Sequence, residues 1–377
     1  MLFRAARAAP LSGDRAPPAG VGCSRSPNAT RGKRARYEQT EETMPARGWI
    51  ARSICLALLG SVFVLDWVAG ADAAALRVGK AFAGVFDFVP VDVGVAEGFF
   101  KKRGLEVQEF NFAGSAKLQQ ALAANAIDIG LGSGVELAFV ARGAPVKGVA
   151  AFMGPPADLT LFVRNEPGLR SPKDLKGKKI SVSTVSSLTQ WLVREISRHE
   201  GWGPDGITTV PLGARPAQIS AMRTGQTDGM AIDFVGGTVL HEQGIGHIML
   251  HFSTIVPNFI THVMFARNGL IAEHPKELRA FVAGWFESIQ YMLKHEAETV
   301  RIATEVMKEP KEIVAADYKT VMPAFSTTGR FEPKPLAVLR SSFVEMGLLP
   351  KPPEMSKLYT EEFLSEGPAS KTPKSGG

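Results

Sequence analysis

The stretch Asn111–Leu137, NFAGSAKLQQALAANAIDIGLGSGVEL, decides the fold. Leu118 and Leu122 fall on one face of an alanine-rich segment, which is a helix pattern. Asn125 tolerates the left-handed backbone that often ends helices. Asp128 then opens a short apolar run, Ile129-Gly130-Leu131, which reads as a buried strand, and Gly132-Ser133-Gly134 leads into new apolar periodicity at Val135. A strand that ends in Gly-Ser-Gly at a helix start offers backbone N–H groups and a hydroxyl to a ligand.

The same punctuation returns one hundred residues later. Ala121-Leu122, Asn125 and Asp128 line up with Ala221-Met222, Gly225 and Asp228. The second strand, Gly229–Ile232, delivers Asp233-Phe234 where the first delivers Gly132-Ser133-Gly134. A further echo joins Leu161-Phe162-Val163-Arg164-Asn165 to Met264-Phe265-Ala266-Arg267-Asn268. Around these copies strands alternate with helices: Leu76–Ala81, a helix to Gly98, Leu105–Phe110, then Ile180–Ser183, the helix Gln190–His199 and Ile207–Leu212. That alternation belongs to parallel α/β sheets. Two similar lobes follow, with the chain crossing between them twice. After Asn268 the pattern turns helical. Leu278, Phe281, Val282, Trp285, Ile289 and Met292 form one apolar face, and shorter helices are expected over Glu296–Met307, Glu312–Tyr318, Leu336–Met346 and Lys357–Phe363.

The expected domain plan is an N-terminal extension over 1–43, a secretory signal peptide over 44–73, and a first lobe over 76–165. A second lobe follows over 166–260, then a return with C-terminal helices over 261–345, and a final helix with a disordered tail over 346–377. Residues 1–43 are rich in Arg, Ala, Pro and Gly without periodicity, whereas Arg47 and Arg52 precede the apolar run Ile54–Val68 and the small residues of Ala71-Asp72-Ala73. Cleavage is expected after Ala73, with Met44 as a start alternative to Met1. The net charge of +6 divides unevenly: 1–73 hold ten basic and six acidic residues, which leaves 33 against 31, or +2, for the rest. So balanced a globular part gives no support to a nucleic-acid surface. Both cysteines, Cys23 and Cys55, precede the cleavage site, so the exported chain has neither disulfides nor thiolate chemistry.

Several runs carry a family resemblance: Leu76-Arg77-Val78-Gly79, Ala96-Glu97-Gly98-Phe99-Phe100 with Gly104-Leu105-Glu106-Val107, Asp128-Ile129-Gly130, Asp174-Leu175-Lys176-Gly177-Lys178-Lys179 and Gly225-Gln226-Thr227-Asp228-Gly229. Over about residues 76–345 the chain resembles periplasmic substrate-binding proteins of ABC importers, of the nitrate/sulfonate/taurine, NMT1/THI5-like type. The resemblance implies a type II periplasmic-binding-protein-like α/β fold, with two lobes joined by a two-strand hinge. The lobes would close on a small-molecule ligand and deliver it to an inner-membrane permease. It also implies a monomer in the periplasm, without catalysis, cofactor, metal or nucleic acid.

Mapped onto this chain, the ligand contacts are Phe82, Phe86, Asp87, Ser115, Gly132, Ser133 and Gly134 from the first lobe. Ser183, Thr184, Ser186, Ser187, Thr189, Asp233 and Phe234 come from the second. All fall at the carboxyl ends of expected strands, where open α/β sheets bind ligands. Micromolar capture takes about 8 kcal/mol, whereas one helix terminus contributes about 0.3–1 kcal/mol, so both lobes have to contribute. Glu136 reads as stabilising the positive end of its helix, and His241, His247 and His251 as strand and loop residues rather than metal ligands. The loop aromatics Phe82, Phe86 and Phe88 suggest a ligand with apolar bulk. The alternatives are a thiamine-pyrimidine synthase of the same fold, whose cysteine-rich motif has no counterpart here, and a ligand sensor.

Overall fold

The computed structural model describes residues 74–213 and 215–365. The expected extension 1–43, the signal segment 44–73 with its cleavage after Ala73, and the tail beyond residue 365 lie outside the described residues.

The chain builds β1 (Ala74–Lys80), α1 (Val89–Ala96), β2 (Leu105–Asn111), α2 (Ser115–Ala123), β3 (Ile129–Ser133), α3 (Leu137–Ala141) and β4 (Val146–Met153). It then crosses to β5 (Leu159–Arg164), β6 (Lys179–Val182), α4 (Leu188–His199), β7 (Thr208–Pro211), α5 (Arg215–Arg223), β8 (Gly229–Asp233), α6 (Phe234–Glu242) and β9 (Gly246–His251). A return crossing reaches β10 (His262–Arg267), followed by α7 (Asn268–Glu273), α8 (Pro275–Lys294), α9 (Glu296–Met307), α10 (Lys311–Val321) and α11 (Pro333–Glu345).

Two five-stranded sheets result, ordered β2-β1-β3-β10-β4 and β7-β6-β8-β5-β9. They are built to one plan. In each, the first three strands run parallel and the fourth runs antiparallel to its neighbours. The sequence echoes land on equivalent strands: β3 and β8 hold the third position, and β10 and β5 the fourth. The chain changes sheet at 154–158 and 252–261. That corrects the expected boundary at 165/166, because β5 pairs with β8 and β9 and belongs wholly to the second sheet.

A carboxylate explains both echoes. Asp128 accepts from the backbone N–H and guanidinium of Arg77 on β1 and from Nε of Arg267 on β10, at 2.8–3.0 Å. Its own N–H bonds the Arg77 carbonyl, and its carbonyl accepts from the Arg267 N–H. Asp228 repeats the arrangement with the Lys179 N–H at 2.7 Å and the Arg164 guanidinium at 3.4 Å. Each Asp therefore ties the starts of two parallel strands to the end of an antiparallel one. Asn125, with φ 55°, and Gly225, with φ 73°, turn the chain out of the preceding helix toward that carboxylate.

The six residues expected on one helical face are all buried on α8. Phe100 stacks on Phe281 with ring centroids 4.9 Å apart, in a slot where a Cβ on Gly94 or Gly284 would strike its ring. The expected helix over Lys357–Phe363 does not form. Its place is taken by a short 3-10 turn, Met355–Lys357, and by a bridge to β4 in which the Gly148 N–H donates to the Leu358 carbonyl and the Thr360 N–H to the Gly148 carbonyl. Covering an edge strand satisfies backbone groups that an isolated terminal turn of helix would leave to water.

Burial opposes ionisation of Asp128, but the bonds from Arg77 and Arg267 outweigh it and hold the carboxyl at about 2, below its ordinary 3.8. A depressed carboxyl stabilises the fold above its unfolded-state value, and that contribution disappears as the pH falls through the folded one. Asp128→Asn should therefore lower unfolding free energy by about 2–3 kcal/mol at neutral pH. In urea titrations, the gap to the parent chain should narrow as the pH is taken from 4 toward 2.

Candidate functional site

Loops leaving β1, β3, β6 and β8 share one end of their sheets, and α10 packs against both the 86–88 turn after β1 and α6 after β8. Residues of both lobes thus meet at one place. Within the first lobe, the two N–H groups of the Gly-Ser-Gly run are already used. The Ser133 N–H donates to Oε1 of Glu136 at 2.8 Å, and the Gly134 N–H to the Thr261 carbonyl at 2.8 Å. The anion cradle expected there is filled from inside, and Glu136 serves its expected role at the positive end of its own turn. The turn is tight because a Cβ on Gly132 would strike the Glu136 carboxylate, and one on Gly134 would overlap the Ile260 carbonyl.

What remains available is side-chain chemistry. Oγ of Ser133 is buried at the N-cap of the 134–136 turn, facing the Glu136 N–H without completing a hydrogen bond to it, and Oδ1 of Asp87 is buried without a partner. Oδ2 of Asp87 lies 2.7 Å from Nε2 of His262, whose Nδ1 lies 3.1 Å from the Gly132 carbonyl. Both ring nitrogens of His262 thus face oxygen atoms of the first lobe. Phe152 stacks on that ring at 5.6 Å and Phe88 meets it edge-on at 5.2 Å. Phe82 is 45% exposed, whereas Phe86 is fully buried against Tyr318 and contributes packing. Ser115 starts α2.

In the second lobe the hydroxyl-rich loop folds on itself. Oγ1 of Thr189 lies 3.0 Å from the hydroxyls of both Ser183 and Ser187, and Ser187 caps α4 by accepting from the Gln190 N–H. Ser186 is held at φ 59°, with its N–H donating to the Gln190 side chain at 2.8 Å. Such left-handed non-glycine residues collect at functional sites. Thr184 and Val185 stand exposed at the loop tip. Asp233 caps α6 through the Gly236 N–H and pairs with Arg215, while the Phe234 ring stacks on His251 at 5.6 Å. Trp191 on α4 is buried against Phe259 and donates to Glu345 at 2.7 Å.

Three residues that sequence reasoning passed over join this set: His262, Asp158 and Asp317. Asp158 lies on the crossing from β4 to β5, where its carbonyl accepts from the Phe234 N–H at 2.7 Å. Burial, and then the charges of Asp87, Asp317 and Asp233, raise its carboxyl well above the ordinary range; burial with Asp87 and Asp233 does the same to Asp317. His262 could have been found from the echo, since it opens β10 as Leu159 opens β5.

A family model for NMT1/THI5-like proteins matches residues 85–299, more than half of the chain. The chain belongs to the NMT1/THI5-like family. Among curated relatives, a binding protein of Brucella abortus is 25% identical over 282 residues, covering 73% of this chain and 83% of that protein. A 4-amino-5-hydroxymethyl-2-methylpyrimidine phosphate synthase of Saccharomyces cerevisiae is 27% identical over 131 residues, 34% of this chain; the match spans only 38% of the yeast protein. The alkanesulfonate-binding protein SsuA of Xanthomonas axonopodis superposes with TM-score 0.65 at 19% identity, over 76% of this chain and 98% of that one. The nitrate-binding protein NrtA of Synechocystis gives 0.62 at 13%, over 78% and 87%. At these identities the shared property is the periplasmic-binding-protein-like fold.

The Gly-Ser-Gly turn carries a titratable group of its own. Full burial, opposed by hydrogen bonds from Ser115, Gln119 and the Ser133 N–H, pushes Glu136 up from 4.5 to about 7. A raised carboxyl contributes stability below its unfolded value and loses it as the pH rises through the folded one. Melting temperature should therefore fall between pH 4.5 and 7, and Glu136→Gln should flatten that fall in thermal scans.

Proposed function

We propose that this chain is the periplasmic solute-binding component of an ABC importer. It captures a small organic or oxyanion solute between its two lobes and hands it to a permease in the inner membrane. It acts as an exported monomer, without catalysis and without nucleic acid. The observation that carries this reading is the duplicated strand-end architecture. Two sheets of one plan bring β3 and β8 to polar junctions, at Ser133 and at Asp233, and buried polar atoms in the first lobe's half lack partners. Buried polar groups without partners are rare in finished structures and are completed by ligands at binding sites.

Ser133, Asp87 and the exposed Phe82 are assigned to the solute from the first lobe. Thr184, Ser186, Ser187, Asp233 and Phe234 are assigned from the second. Neither set alone reaches the free energy of micromolar capture, whereas closure desolvates both together. The alkanesulfonate-binding protein SsuA and the periplasmic nitrate-binding protein NrtA, which share the fold, support the solute-capture role.

The yeast synthases favour a catalytic alternative. Against it, residues 74–365 contain no cysteine to match the cysteine-rich motif of such enzymes. Mass spectrometry separates the two: a binding protein returns its solute chemically unchanged. Ser133→Ala should weaken solute binding about tenfold through loss of one buried hydrogen bond. Ser187→Ala should lose the α4 cap as well, at a stability cost of about 1 kcal/mol. Unchanged calorimetric titrations for both variants would remove these loops from the site.

A further inference from the structure

The site holds more acid than its own cations balance. Asp87 is bonded to His262, and Asp233 to Arg215. Asp158 from the crossing segment and Asp317 from α10 then add two further carboxyls to the same neighbourhood. Asp317 is completely buried and neither of its carboxyl oxygens has a hydrogen-bond partner; Oδ1 of Asp87 is buried and unpartnered as well. α10 packs both on the turn that carries Asp87 and on α6, whose N-cap is Asp233, so the carboxyls converge from both lobes and from the helix that straps them. Carboxyls buried in this way are costly, and they persist where a bound partner completes them.

The size and character of that partner also follow from the surroundings. Among the described residues, no three His, Cys, Asp or Glu side chains come close enough together to hold a metal ion. The carboxyls do not converge closely enough to share a bare cation. At the rim, Phe82 and Val185, 45% and 66% exposed, present apolar surface from the loops after β1 and β6. On the first lobe's side, the N–H groups that would favour an anion are spent on Glu136 and Thr261.

We propose that the solute of this cleft is an organic cation, a protonated amine on an apolar body, whose N–H groups donate to Asp317 and to the free oxygen of Asp87. This deepens the solute-capture reading and rests on it. Asp158 adds a further carboxyl beside the ammonium, while Arg215 and His262 stay engaged with their own aspartates.

The test uses the full chain, in thermal scans and calorimetric titrations. The cationic probes are benzylamine, putrescine and cyclohexylamine, and the anionic ones benzenesulfonate, methanesulfonate and nitrate. A cationic probe is expected to raise the melting temperature and bind. Asp317→Asn and Asp158→Asn are each expected to weaken that binding about a hundredfold, with unliganded circular dichroism unchanged. Binding of anionic probes without cationic ones would overturn the charge assignment and leave solute capture standing. So would cation binding that neither variant alters. No response to any probe would bring down the solute-capture reading and this inference together.

Discussion

Everything in this molecule depends on one carboxylate placed twice. Asp128 gathers the Arg77 N–H, the Arg77 guanidinium and the Arg267 side chain at one point, and Asp228 does the same with Lys179 and Arg164. Charge-assisted bonds of this kind are short, directional and stronger than neutral ones. They lock a parallel strand pair and an antiparallel fourth strand into register at one end of each sheet. The opposite ends of β3 and β8 carry Ser133 and Asp233.

Most of the frame was legible in the sequence because the clamp leaves a mark at fixed spacing. The helix stop, the Asp three residues later and the Arg-Asn pair at the end of the fourth strand recur in both halves, and all fall on equivalent strands. The first crossing between lobes falls at 154–158 rather than at 165/166, because β8 and β9, the strands that pair with β5, lie downstream of it. The Lys357–Phe363 segment was misread for a related reason: its backbone is claimed by the edge of β4, a tertiary contact that local pattern does not encode.

The site was legible in outline only. Ser133 and Asp233 close β3 and β8 and Asp87 stands in the turn after β1, positions that the sequence pattern marks. Asp317 and Asp158 lie on a distant helix and on a crossing segment, and only folding brings them near Asp87. The cradle suggested by Gly-Ser-Gly turned out to be occupied by Glu136, three residues along the same chain. Sequence could show the hydroxyl and the glycines, but not which carboxylate would take their N–H groups. Real proteins break local rules chiefly where they function, and here the broken rule is charge balance: the frame pairs its acids, as at Asp128, while the cleft leaves Asp317 alone.

The central claim is that the two lobes close on a solute at the shared ends of β3 and β8. A crystal structure of the full chain with bound solute tests it most directly. The account predicts solute density between the two loop sets, within hydrogen-bonding distance of Asp87 or Asp317 on one side and of the Ser183–Thr189 loop or Asp233 on the other. Density confined to the outer groove beside Arg340 and Pro350, with the space between the lobes empty, would contradict it.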